Sequence, residues 1–170
     1  MTKLGIIGVG AMGGAILRGI LAGKVIAADD IYVREHTPAK TQDVAERYGV
    51  NRADWSALAV CDVVIIAVKP YKVKEVLSEL AAAKSQGIIV SIAAGTTLAK
   101  LHEWSATNLS FVRVMPNTPA DVAAGMISIA PAEEAAENDV ALVESIFAAL
   151  GETIVVSEAE LTAMMALAGA

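Results

Sequence analysis

Three glycines near the start of the chain, Gly8, Gly10 and Gly13, have the spacing G-x-G-x-x-G. In this pattern the first glycine permits a tight turn, the second lets the backbone come close to a pyrophosphate, and the third lets a helix pack closely on the preceding strand. The helix that follows offers N–H groups and the positive end of its dipole to an anion. The spacing therefore predicts a turn that binds the phosphates of a dinucleotide.

The residues on either side supply the context that this motif needs. An apolar run at 4–7 predicts a buried strand, and apolar residues then recur at helical spacing until Gly23. Those apolar residues are Ile16, Leu17, Ile20 and Leu21. Glycine-rich turns are common, so the motif alone is weak evidence. A strand before it and a helix after it favour a dinucleotide-binding turn over a purely structural one.

The composition indicates how the rest of the chain is built. Its 170 residues are enough for one domain with a sizeable core, and 55% of them are hydrophobic while only 4% are aromatic. A core of Ala, Val, Ile and Leu suits a parallel sheet covered by helices. We therefore predict an α/β fold, a Rossmann-type doubly wound, mainly parallel sheet with helices on both faces.

Hydrophobic periodicity predicts the further elements. Strands are expected at 30–33, 62–68, 87–92, 109–115, 126–130 and 153–156, and those at 62–68 and 87–92 are expected to be buried. Helices are expected at 38–48, 70–83, 98–104 and 133–150, and another begins at Ser157. Thr37 and Gly49 are the expected cap and stop of helix 38–48. Glu133, Glu134 and Glu137 fall in the first two turns of helix 133–150 and are interpreted as a solvated, stabilising face.

Charge and cysteine content exclude several functional classes. A net charge of −6 without any run of Lys or Arg argues against nucleic acid and anionic membranes as partners. No apolar stretch is long enough to span a bilayer and no signal-peptide pattern is present, so we expect a cytoplasmic protein. With Cys61 as the single cysteine and only His36 and His102 as imidazoles, neither an intrachain disulfide nor a metal site is expected. Cys61 is interpreted as a buried structural thiol.

Two charged residues after the second strand bear on which dinucleotide is bound. In this fold the loop there meets the adenosine ribose, where an acid accepts a hydrogen bond from the 2′-hydroxyl of NAD and an arginine pairs with the 2′-phosphate of NADP. Arg34 therefore favours NADP, whereas the adjacent Glu35 would serve NAD. A solvated loop arginine is the alternative interpretation, and we prefer NADP while NAD stays open.

Three later loops also follow predicted strands. Ligands of open α/β sheets lie beyond the carboxyl ends of the strands, which is where 67–70 and the small residues 93–95 fall. The turn at 116–119 presents Asn117 and Thr118 between two prolines. For that turn alone, a rigid structural role and a ligand-facing role are equally compatible with the residues.

The last predicted helix has both a start signal and an apolar surface. Ser157 is a suitable N-cap and Glu160 occupies the capping-box position. The apolar residues of the helix are Leu161, Met164, Met165 and Leu167. A helix this apolar should be buried against another surface. We expect 1–156 to form the NAD(P)-binding domain and 157–170 to be the truncated start of a linking or dimerisation helix.

Four motifs together give the chain a resemblance to a known family. They are I-G-V-G-A-M-G at 7–13, A-V-K-P at 67–70, S-I-A-A-G-T-T at 91–97 and R-V-M-P-N-T-P at 113–119. In order and spacing, across nearly the whole chain, they resemble the cofactor domain of pyrroline-5-carboxylate reductase, the last enzyme of proline synthesis. Each motif is weak alone, but A-V-K-P followed by M-P-N-T-P makes their conjunction specific.

The resemblance implies roles for individual residues. The pyrophosphate turn would comprise Ile7, Gly8, Val9, Gly10, Ala11, Met12 and Gly13. The adenosine ribose would be approached by Arg34, Glu35 and Asp54. The nicotinamide half would be lined by Ala67, Val68, Lys69, Pro70, Ala93, Ala94 and Gly95. Asn117 and Thr118 would lie close to the nicotinamide, and therefore near the substrate.

The chain departs from the family pattern in two places. Asp54 stands where the family usually has an asparagine, and its carboxylate would repel a 2′-phosphate. The family also continues through a serine- and glycine-rich segment into an all-helical domain that forms the dimer and carries most of the substrate site. Here 166–170 has alanines where serines are expected. The resemblance implies a homo-oligomer formed through the C-terminal helix or that helical domain.

The function implied by the resemblance is reduction of 1-pyrroline-5-carboxylate to L-proline by hydride transfer from NAD(P)H. Such a transfer depends mainly on holding the two reactants in position. We assign no catalytic residue, and expect the chain alone to bind the dinucleotide but to reduce the imine poorly or not at all. The alternatives are another two-domain reductase, such as a β-hydroxyacid dehydrogenase, and a non-catalytic dinucleotide-binding partner subunit.

Overall fold

A computed structural model describes residues 1–105, 109–116 and 125–168. Within these residues the chain forms one eight-stranded sheet with the strand order β3-β2-β1-β4-β5-β6-β7-β8. The strands are β1 (Leu4–Ile7), β2 (Ile31–Arg34), β3 (Asn51–Arg52), β4 (Val63–Ile66), β5 (Ile88–Ser91), β6 (Phe111–Met115), β7 (Gly125–Pro131) and β8 (Gly151–Val155). The strand order is that of a sheet wound outwards in two directions from β1.

Strand direction confirms that the sheet is mainly parallel. β1 pairs in parallel with β2 on one side and with β4 on the other, so the winding reverses between β1 and β4. β4, β5 and β6 continue in parallel, and β6 and β7 form the one antiparallel pair among the described strands. The reversal between β1 and β4 opens a crevice at their carboxyl ends, which is where ligands of open α/β sheets bind.

Helices cover both faces of the sheet. They are α1 (Ala11–Ala22), α2 (Pro38–Tyr48), α3 (Trp55–Ala59), α4 (Val73–Ala82), α5 (Leu98–Trp104), α6 (Glu137–Phe147) and α7 (Glu158–Ala168). Alternate residues of β1 point to opposite cores: Ile6 packs with Ile16 and Phe147, whereas Ile7 packs with Leu77 and Phe111. The two separate cores confirm the doubly wound fold expected from the composition.

Local capping explains where several helices begin and end. The Thr37 side chain accepts a hydrogen bond from the Lys40 N–H at 3.3 Å, Pro38 occupies the first turn of α2, and Gly49 ends the helix with a φ of 66°. Thr97 caps α5 in the same way by accepting from the Lys100 N–H. These side chains satisfy N–H groups that a helix start leaves unpaired. The predicted caps are therefore confirmed.

Two short elements were missed between Gly49 and Asp62. β3 has two residues that add to the edge of the sheet beside β2, and α3 is little more than one turn. Neither is long enough to establish a period of 2.0 or 3.6 residues, so periodicity alone could not predict them.

The start predicted for α6 was wrong. Glu137 is its first residue, while Glu133 and Glu134 lie in a preceding turn in which the Ala135 N–H donates to the Ala132 carbonyl. Residue 136 is extended, with a ψ of 152°, which ends that turn before the helix begins. Glu134 instead pairs with His102 of α5 at 3.1 Å. Glu133, Glu134 and Glu137 are all exposed, as predicted, but only Glu137 lies in the helix.

The apolar C-terminal helix is packed on the sheet over its first turns. α7 contacts β6 and β7, and its Leu161 side chain is buried. The capping box forms as predicted, since the Ser157 N–H donates to Glu160 at 2.7 Å and the Ser157 hydroxyl accepts from the Glu160 N–H at 3.3 Å. The Sδ of Met164 lies 3.5 Å from the hydroxyl of Ser128 on β7. No helix in the described ranges is long and apolar enough to cross a membrane.

Candidate dinucleotide-binding site

The glycine turn lies where three strands meet at their carboxyl ends. The Gly8 N–H donates to the carbonyl of Arg34 at the end of β2 (2.9 Å), and the Ile7 carbonyl accepts from the Ala67 N–H beyond β4 (2.8 Å). The turn is therefore fixed to both neighbours of β1, directly over the crevice where the winding of the sheet reverses.

The three glycines of the turn have different surroundings. Gly8 has a φ of +90°, and an added Cβ would lie 2.7 Å from the Ala67 carbonyl oxygen. A Cβ on Gly13 would overlap the carbonyl oxygen of Gly8, so this glycine allows α1 to pack against the turn. A Cβ on Gly10 would meet no protein atom within 4 Å. The chain itself does not need a glycine at position 10, but a closely approaching pyrophosphate would.

The start of α1 is open to an anion. Its N-cap is Gly10, which has no side chain to cap the first turn, and that turn contains no acidic residue. Helix N–H groups that lack an internal partner and the positive end of the dipole therefore face the turn. This geometry fits the phosphates of a dinucleotide.

Glu35 lies closer to the glycine turn than the sequence indicated. Its Oε1 accepts a hydrogen bond from the backbone N–H of Val9, in the middle of the turn. The residue is fixed in place because its own N–H donates to the hydroxyl of Thr41 on α2 at 3.0 Å, and its side chain is only 15% exposed. Its other oxygen lies 3.4 Å from Nδ1 of the exposed His36. A carboxylate held here is placed to accept hydrogen bonds from ribose hydroxyls.

Arg34 is held by an aromatic ring that sequence reasoning missed. Its guanidinium carbon lies 4.2 Å from the ring centroid of Trp55 on α3, a cation–π contact, and its Nη1 donates to the carbonyl of Ala53 at 3.3 Å. Trp55 lies 21 positions further along the chain, in the short helix that periodicity did not predict. A guanidinium stacked on a ring keeps its charge and part of its donor edge for another partner.

Asp54 has a structural role at the start of α3. Its Oδ1 accepts hydrogen bonds from the hydroxyl of Ser56 at 2.7 Å and from the N–H of Ala57 at 2.8 Å. These two bonds, with a smaller contribution from the charge of Arg34, hold the pKa of the Asp54 carboxyl below its usual range. The carboxylate is therefore an N-cap, and it stands one residue before the tryptophan that stacks on Arg34.

The two later loops are brought beside the glycine turn. β4 lies next to β1 and β5 next to β4, with Ile66 paired to both Ile7 and Ser91. The loop 67–70 therefore leaves the sheet beside the turn, and Lys69 in it is exposed. The loop 93–95 leaves from the next strand, and its Gly95 has a φ of +71°. The structure thus places the predicted pyrophosphate, adenosine and nicotinamide residues along one edge of the sheet.

Asn117 and Thr118 lie outside the described residues. The described part of this segment ends at Pro116, directly after β6, whose neighbour in the sheet is β5. Their roles near the nicotinamide therefore stay predictions.

Cys61 is not part of this edge. It comes just before β4, at the opposite edge of the sheet, where its side chain is buried and its Sγ donates to the Ala57 carbonyl at 3.4 Å. Burial raises the pKa of the thiol to about 11. This confirms the structural interpretation, because a thiol with a raised pKa is a poor nucleophile at neutral pH. No group of three or more possible metal-ligating side chains occurs in the part of the chain that the structure describes.

Comparison with known proteins agrees with this geometry. The sequence model of the family described as NADP oxidoreductase, coenzyme F420-dependent, matches residues 3–95, more than half of the chain. The chain belongs to this family. The match covers the glycine turn, the loop after β2 and both later loops up to Gly95.

Curated relatives confirm the narrower resemblance. The chain is 39% identical over 170 residues to a pyrroline-5-carboxylate reductase of Arabidopsis thaliana, in an alignment that covers 98% of this chain and 61% of that protein. It is 35% identical to the enzyme of the same name from Escherichia coli, covering 98% of this chain and 63% of that one. The chain therefore spans about three fifths of the length of these relatives.

Solved structures give the same result for the fold. A pyrroline-5-carboxylate reductase from Coxiella burnetii superposes with a TM-score of 0.90 at 31% identity, over 98% of this chain and 63% of that one. A pyrroline carboxylate reductase from Plasmodium falciparum, solved with NADP bound, gives a TM-score of 0.84 at 27% identity, over 99% and 62%. A prephenate dehydrogenase from Aquifex aeolicus, at 14% identity and a TM-score of 0.76, shares the fold alone.

Proposed function

We propose that this chain is the dinucleotide-binding part of a pyrroline-5-carboxylate reductase, which reduces 1-pyrroline-5-carboxylate to L-proline. The observation that carries the proposal is the single edge formed by the glycine turn and the loops 67–70 and 93–95 on three adjacent strands. The open space around Gly10 supports it, since the turn has room for a pyrophosphate. The relatives that match 98% of the chain carry this enzyme name.

In the reaction, the role of this chain is to bind the cofactor and to orient it. The reduced nicotinamide supplies the hydride when the cofactor is bound, and a protonated imine is already an electrophile. The turn at 7–13 would hold the pyrophosphate, and Ala67–Pro70 and Ala93–Gly95 would support the nicotinamide half. Small side chains in the second loop let a flat ring lie against the backbone. Holding reactants in a fixed orientation accounts for a large part of catalysis in such transfers.

We propose NADPH as the preferred cofactor, with NADH also accepted. The family description and the relative solved with NADP favour NADPH, and Arg34 supplies a fixed positive charge beside the ribose position. Glu35 and Asp54 oppose it with two nearby carboxylates. Because charges of both signs surround this position, we expect the discrimination between the two cofactors to be modest.

The substrate and partner parts of the proposal reach beyond the described residues. Asn117 and Thr118 would lie near the substrate, and no described residue is assigned as proton donor. A helical segment that dimerises would complete the site, so we propose a homo-oligomer. We propose the cytoplasm as its location. The chain alone would bind cofactor and turn over slowly or not at all.

A direct test is to incubate the purified chain with NADPH and follow the loss of reduced nicotinamide absorbance with and without 1-pyrroline-5-carboxylate. Cofactor binding is measured separately by nicotinamide fluorescence, and both measurements are repeated with NADH. Binding with slow or no turnover supports the proposal for the chain alone. Failure to bind either dinucleotide would contradict it.

A non-catalytic partner subunit is the second candidate. The observation that favours it is apolar exposure at the sheet edge formed by β8, where Ile154 is 41% and Val155 44% exposed. Analytical ultracentrifugation of the chain, alone and with bound NADPH, tests this candidate. A monomer at all concentrations would argue against a docking surface at this edge.

A further inference from the structure

One carboxylate joins three separate elements near the nicotinamide side of the site. Oε1 of Glu158, the first residue of α7, lies 2.7 Å from Nη1 of Arg113 on β6. The same oxygen accepts a hydrogen bond from the backbone N–H of Leu98, the first residue of α5, also at 2.7 Å. These partners are 45 and 60 positions away along the chain, so both contacts depend on the tertiary fold.

Both partners donate to this one carboxylate. The side chain of Arg113 is only 4% exposed, and a guanidinium without a counter-charge in such a position strongly destabilises a fold. The Leu98 N–H belongs to the first turn of α5, whose N-cap Thr97 already accepts from Lys100. Glu158 therefore satisfies a second donor of that turn and neutralises a buried cation at the same time.

The contacts lie next to the loop proposed to hold the nicotinamide half. α5 follows directly on Ala93–Gly95, with Thr96 buried between them and its N–H 3.4 Å from the Ala93 carbonyl. Arg113 is paired in the sheet with Ser91, the last residue of β5 before this loop. Glu158 is thus bonded to the element that ends the loop and to the neighbour of the strand that begins it.

We propose that Glu158 is a positioning residue that couples the docking of α7 to the loop 93–95, and hence to cofactor affinity. The statement about affinity rests on the proposed function, whereas the coupling of α7 to the loop does not. If α7 leaves the sheet, α5 loses an N-terminal acceptor and Arg113 on β6 loses the carboxylate that pairs with it among the described residues, so the loop loses its support. Coupling is reciprocal, so cofactor bound against this loop must also strengthen the docking of α7.

Glu160, two residues after Glu158, offers a matched control. Glu160 lies in the same turn of α7, but its carboxylate bonds only to Ser157 among the contacts described. Glu158→Ala and Glu160→Ala therefore each remove one negative charge from the same turn. The first variant loses the contacts with Arg113 and Leu98, and the second loses the local cap with Ser157. Because Glu158→Ala removes the one carboxylate that pairs with Arg113 among the described residues, the double variant Arg113→Met with Glu158→Met is included. It removes both charges of the ion pair together and takes away the Glu158 carboxylate that accepts from the Leu98 N–H.

Hydrogen exchange without nucleotide tests the coupling by itself. In Glu158→Ala, and in the double variant if the single one does not fold, amides of both α7 and the first turn of α5 should exchange faster than in the parent chain. In Glu160→Ala the increase should stay within the first turn of α7. Faster exchange confined to α7 in the Glu158 variants would overturn the inference. This outcome does not depend on whether the chain binds a dinucleotide.

Ligand binding tests the link to the cofactor. We expect Glu158→Ala and the double variant to weaken NADPH binding by roughly fivefold or more, which is the lower end of usual coupling strengths. The affinity for 2′,5′-ADP, which carries the adenosine half alone, should not change. NADPH should slow exchange in α7 of the parent chain and of Glu160→Ala, but not in the Glu158 variants. Equal losses for both ligands, or none, would overturn the inference. A parent chain that binds neither ligand would instead contradict the proposed function.

Discussion

The carboxylate of Glu35 accepts a hydrogen bond from the backbone N–H of Val9, so an acid at the end of β2 is bound to the turn that is proposed to hold a pyrophosphate. The hydroxyl of Thr41 fixes the backbone of Glu35 from the next helix. The guanidinium of its neighbour Arg34 stacks on the ring of Trp55. The two residues that bear on cofactor choice are therefore held independently of each other, and each can be tested alone.

Replacing Glu35 with glutamine should shift the cofactor preference towards NADPH. The amide oxygen can still accept from the Val9 N–H, so the turn keeps its shape, but a 2′-phosphate no longer meets a negative charge. NADH should lose the stronger, charge-assisted acceptor for its ribose hydroxyl. We expect the ratio of the two affinities to change by about 1 to 2 kcal/mol, measured by fluorescence titration. The control is Asp43→Asn on the exposed face of α2, and an unchanged ratio in Glu35→Gln would contradict the assignment.

Replacing Arg34 with alanine should act in the opposite direction. Loss of a guanidinium that pairs with the 2′-phosphate should weaken NADPH binding by about 1 to 3 kcal/mol and leave NADH binding nearly unchanged. Arg47→Ala, in the last turn of α2, is the control for the loss of one positive charge. Equal losses for both cofactors, or none, would show that Arg34 does not pair with the 2′-phosphate.

The stack on Trp55 gives a separate prediction. Trp55→Leu keeps the charge of Arg34 but removes the ring that orients it. NADPH affinity should fall by less than in Arg34→Ala, and the double variant should lose no more than Arg34→Ala alone, because the ring acts through the arginine. Isothermal titration of the three variants measures this. Additive losses would show that Trp55 contacts the ligand by itself.

Local chemistry explains what could be predicted from sequence. The glycine turn, the cap Thr37 and the capping box of Ser157 with Glu160 each depend on residues within a few positions, and all form as expected. The buried strands β4 and β5 are equally predictable, because burial on both faces favours a continuous run of apolar, mainly β-branched residues.

The remaining contacts depend on residues that are far apart in sequence. Trp55 stacks on Arg34 from 21 positions away, and Glu158 reaches Arg113 across 45. No periodicity marks such pairs, since each is created only when the strands and helices assemble. The start of α6 was misplaced for a related reason: Glu134 has a partner on α5, and only the fold shows that 133–136 forms a turn.

Gly13 and Gly10 should differ in their response to substitution by alanine. Gly13→Ala places a Cβ against the Gly8 carbonyl and should lower the free energy of unfolding by about 1 to 3 kcal/mol. Gly10→Ala meets no protein atom and should leave the urea midpoint nearly unchanged. Gly10→Val should then abolish binding of both cofactors while the circular dichroism spectrum is preserved. Tight binding by Gly10→Val would show that the turn has only a structural role.

Asp54 should make stability depend on pH through its cap of α3. Its pKa is lowered in the folded chain by the hydrogen bonds from Ser56 and Ala57, so the unfolded chain binds the proton more readily. The contribution is therefore fully present above the unfolded pKa of about 3.9 and is lost as the pH falls through the lower folded pKa. Asp54→Ala should be less stable than the parent chain at neutral pH, and the difference should shrink in acid. Urea unfolding at both pH values measures this, with Asp43→Ala as the control. A difference that stays constant into acid would show that the cap does not depend on the ionised carboxylate.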